Sequence, residues 1–281
     1  MKANKIIDID ALWAHRLNKE LLSMYKSLGT LNISEETKKR LSAPLRTMVG
    51  PAFKPENNLL IVGEETYHGW GGKTETVGSS FHSYESYHGK YSGDYILMEV
   101  QSDFMLNRYN HASAKTQQSP FWKACAKISG VGHMTDLLSA GVAWSDLMTS
   151  DLDGGSPLER GAMNSKELDV FLGYSLQSFK GNLGITTPKV AMIFAGPKYD
   201  FFLEECFNLP QNWKKDDLRS LPECSDPEEK LLQHVNIFQH NGTLFVKTYH
   251  PGFLTWQSKY GYLKILDILA ETFARMGVTK Q

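Results

Sequence analysis

The sequence is poor in cysteine: Cys125, Cys206 and Cys224 are its three thiols, far apart along 281 residues. An odd, scattered set supports neither a disulfide framework nor a four-thiolate metal cluster, and reads as reduced, inert thiols. An excess of charge is also missing, since 30 Lys and Arg stand against 31 Asp and Glu for a formal net charge of -1. That balance excludes a basic footprint over the whole surface and leaves room for a local basic patch. No long apolar run opens the chain: MKANKIIDIDALWAHRLNKE carries acidic and basic groups within its only apolar stretch. Neither a secretory signal nor a membrane span is therefore expected, and a cytoplasmic location is the default. Nucleotide-loop signatures are incomplete. Gly69, Gly71 and Gly72 lack the Lys and Ser/Thr of a phosphate loop, and no dinucleotide fingerprint occurs, which disfavours kinases, ATPases and dehydrogenases. His68, His82, His88 and His111 offer metal donors without the H-E-x-x-H spacing, so a metal-assisted phosphoester hydrolase is a distant alternative and no cofactor is expected.

What is present is a globular composition, 41% hydrophobic, enough for one large core. Leu17, Leu21, Leu22, Tyr25 and Leu28 follow a helical face that Gly29 stops, and a second helix begins near Ser34 and ends before Pro44. Leu59 to Val62, Val190 to Ala195 and Thr243 to Lys247 read as buried strands. Helices are expected over Phe121–Ile128, Glu167–Phe179, Glu228–Phe238 and along Leu263 to Met276, whereas GVAWSDL reads as either a strand or a turn. Apolar strands separated by helical stretches predict a three-layer α/β/α sandwich around a short, mainly parallel sheet. We divide the chain into an N-terminal helical extension, 1–50, and an α/β domain, 51–281, with a Gly-, Ser-, Tyr- and His-rich elaboration over 69–119. In such a sheet the reactive cleft is expected beyond the C-terminal strand ends.

Two constellations lie at those ends. Gly63, Glu64, Glu65, Thr66, Tyr67 and His68 follow the first strand: glycine allows a sharp turn or close approach, and two adjacent carboxylates suit positioning water, stabilising a cation or general-base work. Lys247, Thr248, Tyr249, His250, Pro251 and Gly252 follow the last strand, where a stiff turn would hold the His250 imidazole as a donor to a developing anion. Taken singly, a solvated loop and a packed loop histidine explain these segments as well.

Together the motifs resemble the uracil-DNA glycosylase superfamily. VGEETYH at Val62–His68 is similar to its Gly-Gln-Asp-Pro-Tyr-His motif and HPGFL at His250–Leu254 to its His-Pro-Ser-Pro-Leu motif, in the same order and each after an apparent strand. The resemblance runs from about Leu59 to Met276 and implies an α/β/α DNA glycosylase that needs no metal. It implies that Glu65 stands at the catalytic aspartate, Glu64 at the neighbouring glutamine, Tyr67 at the base-pocket aromatic and His250 at the histidine facing the departing base; Glu64 is kept as the alternative catalytic carboxylate, because adjacent residues point differently and either could enter the cleft. Glu for Asp adds a methylene and Thr66 stands where the family has proline; both departures point to a modified or damaged base, or to lost activity.

Base contacts are expected from Gly63, Tyr67, His68, Trp144, Asp146 and Gly196, with Asp146 near a family asparagine and the Phe194–Gly196 strand end leaving room by the sugar. A core Trp144 and a helix-capping Ser145 or Asp146 are the plainer alternatives. DNA contacts are expected from Lys247 and from Phe253, Leu254 and Trp256, apolar material for the gap left by a flipped nucleotide, with Lys259 and Lys264 adding phosphate attraction. Tyr84, Tyr87, Tyr91, His82 and His88 are secondary candidates for the base pocket. The expected partner is DNA carrying a modified base, bound by a monomer away from membranes; the alternative is a catalytically inactive nucleic-acid binding protein of the same fold.

Overall fold

The computed structural model describes residues 11–42, 44–45, 47–49, 53–54, 58–65, 119–133, 136–137, 140–224 and 227–279. Among these, six strands form one sheet in the order β1-β3-β2-β4-β6-β5. They are β1 (Met48–Val49), β2 (Leu59–Glu65), β3 (Ala143–Met148), β4 (Val190–Phe194), β5 (Val235–His240) and β6 (Thr243–Thr248). The four central strands run parallel, while β1 and β5 close the edges antiparallel. Every residue of β4 is buried, the pattern of a strand covered on both faces, which is why VAMIF reads as a continuous apolar run instead of alternating.

The helices are α1 (Ala11–Gly29), α2 (Glu35–Arg40), α3 (Pro120–Ile128), α4 (Ser165–Thr186), α5 (Asp200–Phe207), α6 (Glu229–Leu232), α7 (Pro251–Trp256) and α8 (Lys264–Arg275). The two-residue side-chain period of the strands sorts the core into two layers. Leu59, Ile61, Met192 and Val246 pack with residues of α3, α7 and α8, and Leu60, Val62, Ala191 and Phe245 pack with residues of α1, α4 and α5. The architecture is thus an α/β fold with helices on both faces of a mostly parallel sheet, as its sequence pattern predicts. No helix of the described residues is long and apolar enough to cross a membrane.

Local chemistry sets the boundaries. The Ser34 hydroxyl caps α2 by accepting the Thr37 N–H at 3.2 Å, with Glu35 and Glu36 in the first turn and Lys38, Lys39 and Arg40 in the last, complementing the helix dipole. Asn164 caps α4 in the same way through the Glu167 N–H at 3.0 Å, so this helix starts before Glu167 and runs on past Phe179. The described part of the N-terminal segment packs on the sheet: Leu17, Met24 and Leu28 of α1 are buried in the second core layer, and β1 pairs with β3.

Two local expectations need correction. Glu228–Phe238 is not one helix, because only Glu229–Leu232 is helical and Val235–His240 forms β5. The deciding signal is Asn241–Gly242, both at positive φ, which joins β5 to β6 as a tight hairpin. The turn expected after the last strand is helical: His250 is the N-cap of α7 and Pro251 stands at the first helical position.

Candidate active site

Strands β2, β4 and β6 end on the same edge of the sheet, and their C-terminal residues gather Gly63 to Glu65, Ala195 to Gly196 and Tyr249 to His250. His250 caps α7: its Nδ1 accepts the Gly252 N–H at 3.1 Å. A backbone N–H can only donate, so Nδ1 is the unprotonated nitrogen and the neutral ring carries its proton on Nε2. The imidazole lies parallel to the Phe121 ring, 7° between planes with centroids 5.9 Å apart. Phe121 in turn meets Phe194 edge-on at 6.0 Å and Trp122 at 4.8 Å.

Gly63 is essential to this packing. A methyl group there would lie well inside contact distance of Asp146 Oδ1 and 3.5 Å from the Phe121 ring. Gly63 is opposite Asp146 in the β2–β3 register, and Asp146 is only 3% exposed. Burial raises the Cys125 thiol well above its ordinary pKa, and the charge of Asp146 adds to that shift.

The adjacent glutamates part company. Glu64 Oε1 accepts the Gly196 N–H at 2.7 Å, tying β2 to the turn after β4. Glu65, described by its backbone, is opposite Met148 of β3. Strand alternation puts position 65 on the face of position 63, where Phe121 lies, and position 64 on the other. Beneath that other face Lys247 Nζ meets Asp200 Oδ1 at 2.9 Å, and both side chains are largely buried. Burial pulls the Lys247 pKa below that of ordinary lysine, against the opposing hydrogen bond and charge of Asp200 and the charge of Glu64.

Several expected site residues lie elsewhere. Lys247 is 5% exposed and committed to Asp200, so it is not a surface phosphate contact. Leu254 is fully buried in the first core layer and cannot enter a base stack, whereas Trp256, at the end of the same helix, is 75% exposed. Phe253 is half-buried, its ring stacked on Tyr249 at 4.6 Å. Trp144 is half-buried against Trp122, edge-on at 5.1 Å, and packs on the core instead of forming an open platform. Lys264 pairs with Glu228 at 2.5 Å, while Lys259 is exposed. Tyr67 and His68, together with Thr66 and the aromatic and histidine candidates between Gly69 and Gln118, lie outside the described residues. Among the described residues no three His, Cys, Asp or Glu side chains converge as metal donors.

Sequence reasoning missed Phe121 as a site residue. Its signal was Ser119–Pro120, which starts α3 and sets the next side chain at the helix mouth. No family model matches the chain, and no curated protein matches it.

Proposed function

We propose that the protein is a metal-independent DNA glycosylase of the uracil-DNA glycosylase type, which hydrolyses the N-glycosidic bond of a modified or damaged base to leave an abasic site. The observation that carries the proposal is the hydrogen bond that His250 Nδ1 accepts from the Gly252 N–H: with Nδ1 so committed, the ring proton belongs on Nε2, the nitrogen that can donate to an anion. A departing base leaves with the electron pair of its bond to C1′, and a neutral imidazole donor stabilises that charge as it develops. The opposite demand arises at the sugar, where the oxocarbenium-like centre needs a carboxylate. Glu65, two strands away with β4 between, supplies it and accepts the proton of the water that bonds to C1′. Neighbouring strands are about 4.8 Å apart, so β2 and β6 are separated by roughly 10 Å, a span suited to one sugar with its base. The Phe121 ring, parallel to that of His250, supports this reading as the aromatic surface for the face of the base.

The test is release of free base from a panel of modified DNAs, followed by mass detection and alkaline cleavage of the abasic strand. Glu65→Gln and His250→Ala are each expected to lower turnover by roughly 10- to 1,000-fold, about 1.4 to 4 kcal/mol of transition-state stabilisation, with binding affected less. Wild-type turnover in both folded variants refutes the site. The second reading, binding without catalysis, is favoured by one observation: Asp146 is buried under Gly63 instead of opening onto a ligand. Binding to modified DNA with no base released from any substrate supports it.

A further inference from the structure

A cleft of about 860 Å³ opens beside the candidate site, on the side of β6 and β5. Its walls carry five cationic side chains, Lys214, Lys215, Arg219, Lys230 and Lys247, against the three carboxylates Asp200, Asp217 and Glu229. In a chain of net charge -1 this is a local concentration of positive charge. Lys247 and Lys214 share the single carboxylate of Asp200, at 2.9 and 2.6 Å, and Lys230 meets Glu228 at 2.8 Å. Lys215 and Arg219 are exposed and make no ion pair among the described residues.

These two cations are held on a fixed frame. They sit on the 3-10 turns Trp213–Lys215 and Leu218–Ser220, and the segment between is bound to the sheet by the Ile237 N–H donating to the Asp216 carbonyl at 3.0 Å. Trp213 is buried, and its indole N–H donates to Glu204 at 2.9 Å. The cleft also has an aromatic wall, His234 and Tyr249, whose rings meet edge-on at 5.6 Å. Fixed cations beside aromatic rings form the combination that tracks a single nucleic-acid strand.

The cleft and the candidate site share two turns. Pro197 lines the cleft while its neighbour Gly196 binds Glu64, and Tyr249 lines it while its neighbour His250 caps α7. We propose that this cleft is a strand-guiding site, which takes the phosphodiester backbone of the nucleic-acid strand flanking the nucleotide at the candidate site. The placement rests on the glycosylase reading; the affinity for a phosphodiester strand does not.

The test is anisotropy titration of the full chain with an unmodified, labelled single-stranded oligonucleotide across a salt series. The double variant Lys215→Ala/Arg219→Ala is compared with wild type, thermal unfolding serving as a fold control. The variant is expected to bind roughly tenfold more weakly at low salt, and its slope of log K against log salt is expected to be shallower by about 1.4, at about 0.7 for each single-strand phosphate that is no longer neutralised. Charge reversal, Lys215→Glu/Arg219→Glu, should weaken binding further. Unchanged affinity and slope in both folded variants overturns the proposal. So does competition by inorganic phosphate or a nucleoside monophosphate at concentrations comparable to those of the oligonucleotide, which would mark a small-anion site. A wild type that binds with the expected slope but releases no base upholds the strand site and refutes the glycosylase reading; base release with unaltered binding by the variants does the reverse.

Discussion

Replacing Gly63 by alanine tests the packing at the centre of the candidate site. The added methyl would collide with Asp146 Oδ1 and touch the Phe121 ring at 3.5 Å. Asp146 has little freedom to withdraw, because it is 3% exposed within β3 and opposite Gly63 in the register. Forcing one methyl into a packed interior costs about 1 to 3 kcal/mol. For a chain of 281 residues that corresponds to a fall in Tm of roughly 2 to 5 °C. Urea unfolding followed by tryptophan fluorescence should show a lower midpoint with an unchanged m-value. The cause is separable from a general dislike of alanine in a strand. Asp146→Ala removes the oxygen in the way, so the double variant should be less destabilised than the sum of the single variants by at least about 1 kcal/mol. A midpoint unaltered by Gly63→Ala, or strict additivity in the cycle, refutes the proposed close approach.

Leu254→Ala should destabilise the fold by about 2 to 5 kcal/mol, as a fully buried leucine does, while Trp256→Ala at 75% exposure should change chemical-denaturation stability by no more than about 0.5 kcal/mol and be felt in DNA binding instead. His250→Ala should lose about 1 kcal/mol of α7 capping that His250→Asp largely restores, yet neither replacement supplies a hydrogen-bond donor to the departing base, since an ionised carboxylate only accepts; turnover recovered by Asp would place the role of His250 in the cap alone. Glu64→Gln keeps an oxygen to accept the Gly196 N–H and should retain most turnover, whereas a loss as large as that of Glu65→Gln would transfer the catalytic role to Glu64. Burial raises Cys206 from 9.0 to about 12 and Tyr174 from 10.0 to about 12, so the native state holds protons that the unfolded chain releases, and stability should fall as pH rises above 9. Cys206 alone accounts for roughly 2 kcal/mol by pH 10.5, and Cys206→Ala should reduce the fall in urea-derived unfolding free energy by that amount.

The elements legible in the sequence were those whose pattern had a single physical solution. VAMIF, a short apolar run closed by Gly196–Pro197, could be buried on both faces only as a central strand. Ser34 and Gly29 marked helix ends through capping chemistry that acts within a few residues. EKLLQHVNIFQH failed because its apolar residues satisfy helical spacing and strand alternation equally well over so short a stretch, and Asn241–Gly242, immediately after it, carried the deciding information. At the candidate site, His250 and Gly63 were legible from their strand-end positions. The burial of Leu254 and Lys247 was not, since it depends on which neighbours arrive from distant segments: α3 and α8 for the first layer, Asp200 for the lysine.

The division between the two adjacent glutamates follows from geometry that the sequence contains without revealing. Consecutive positions of a strand belong to opposite faces, so in G-E-E at a strand end the two glutamate positions fall on different faces whatever the ligand. Glu64 spends its oxygen on the Gly196 N–H, across to the next strand, and lies within the electrostatic reach of the buried Lys247. That makes it a strut for the turn after β4. β4 ends at Phe194, and the turn that follows it opens with the small residues Ala195 and Gly196, between the ends of β2 and β6. Position 65 shares the face of Gly63, Phe121 and Asp146, and it is there that the ring of His250 is stacked. The reading of Glu65 as the reacting carboxylate thus draws its support from the strand period, and the reading of Glu64 as its positioning partner from the 2.7 Å hydrogen bond.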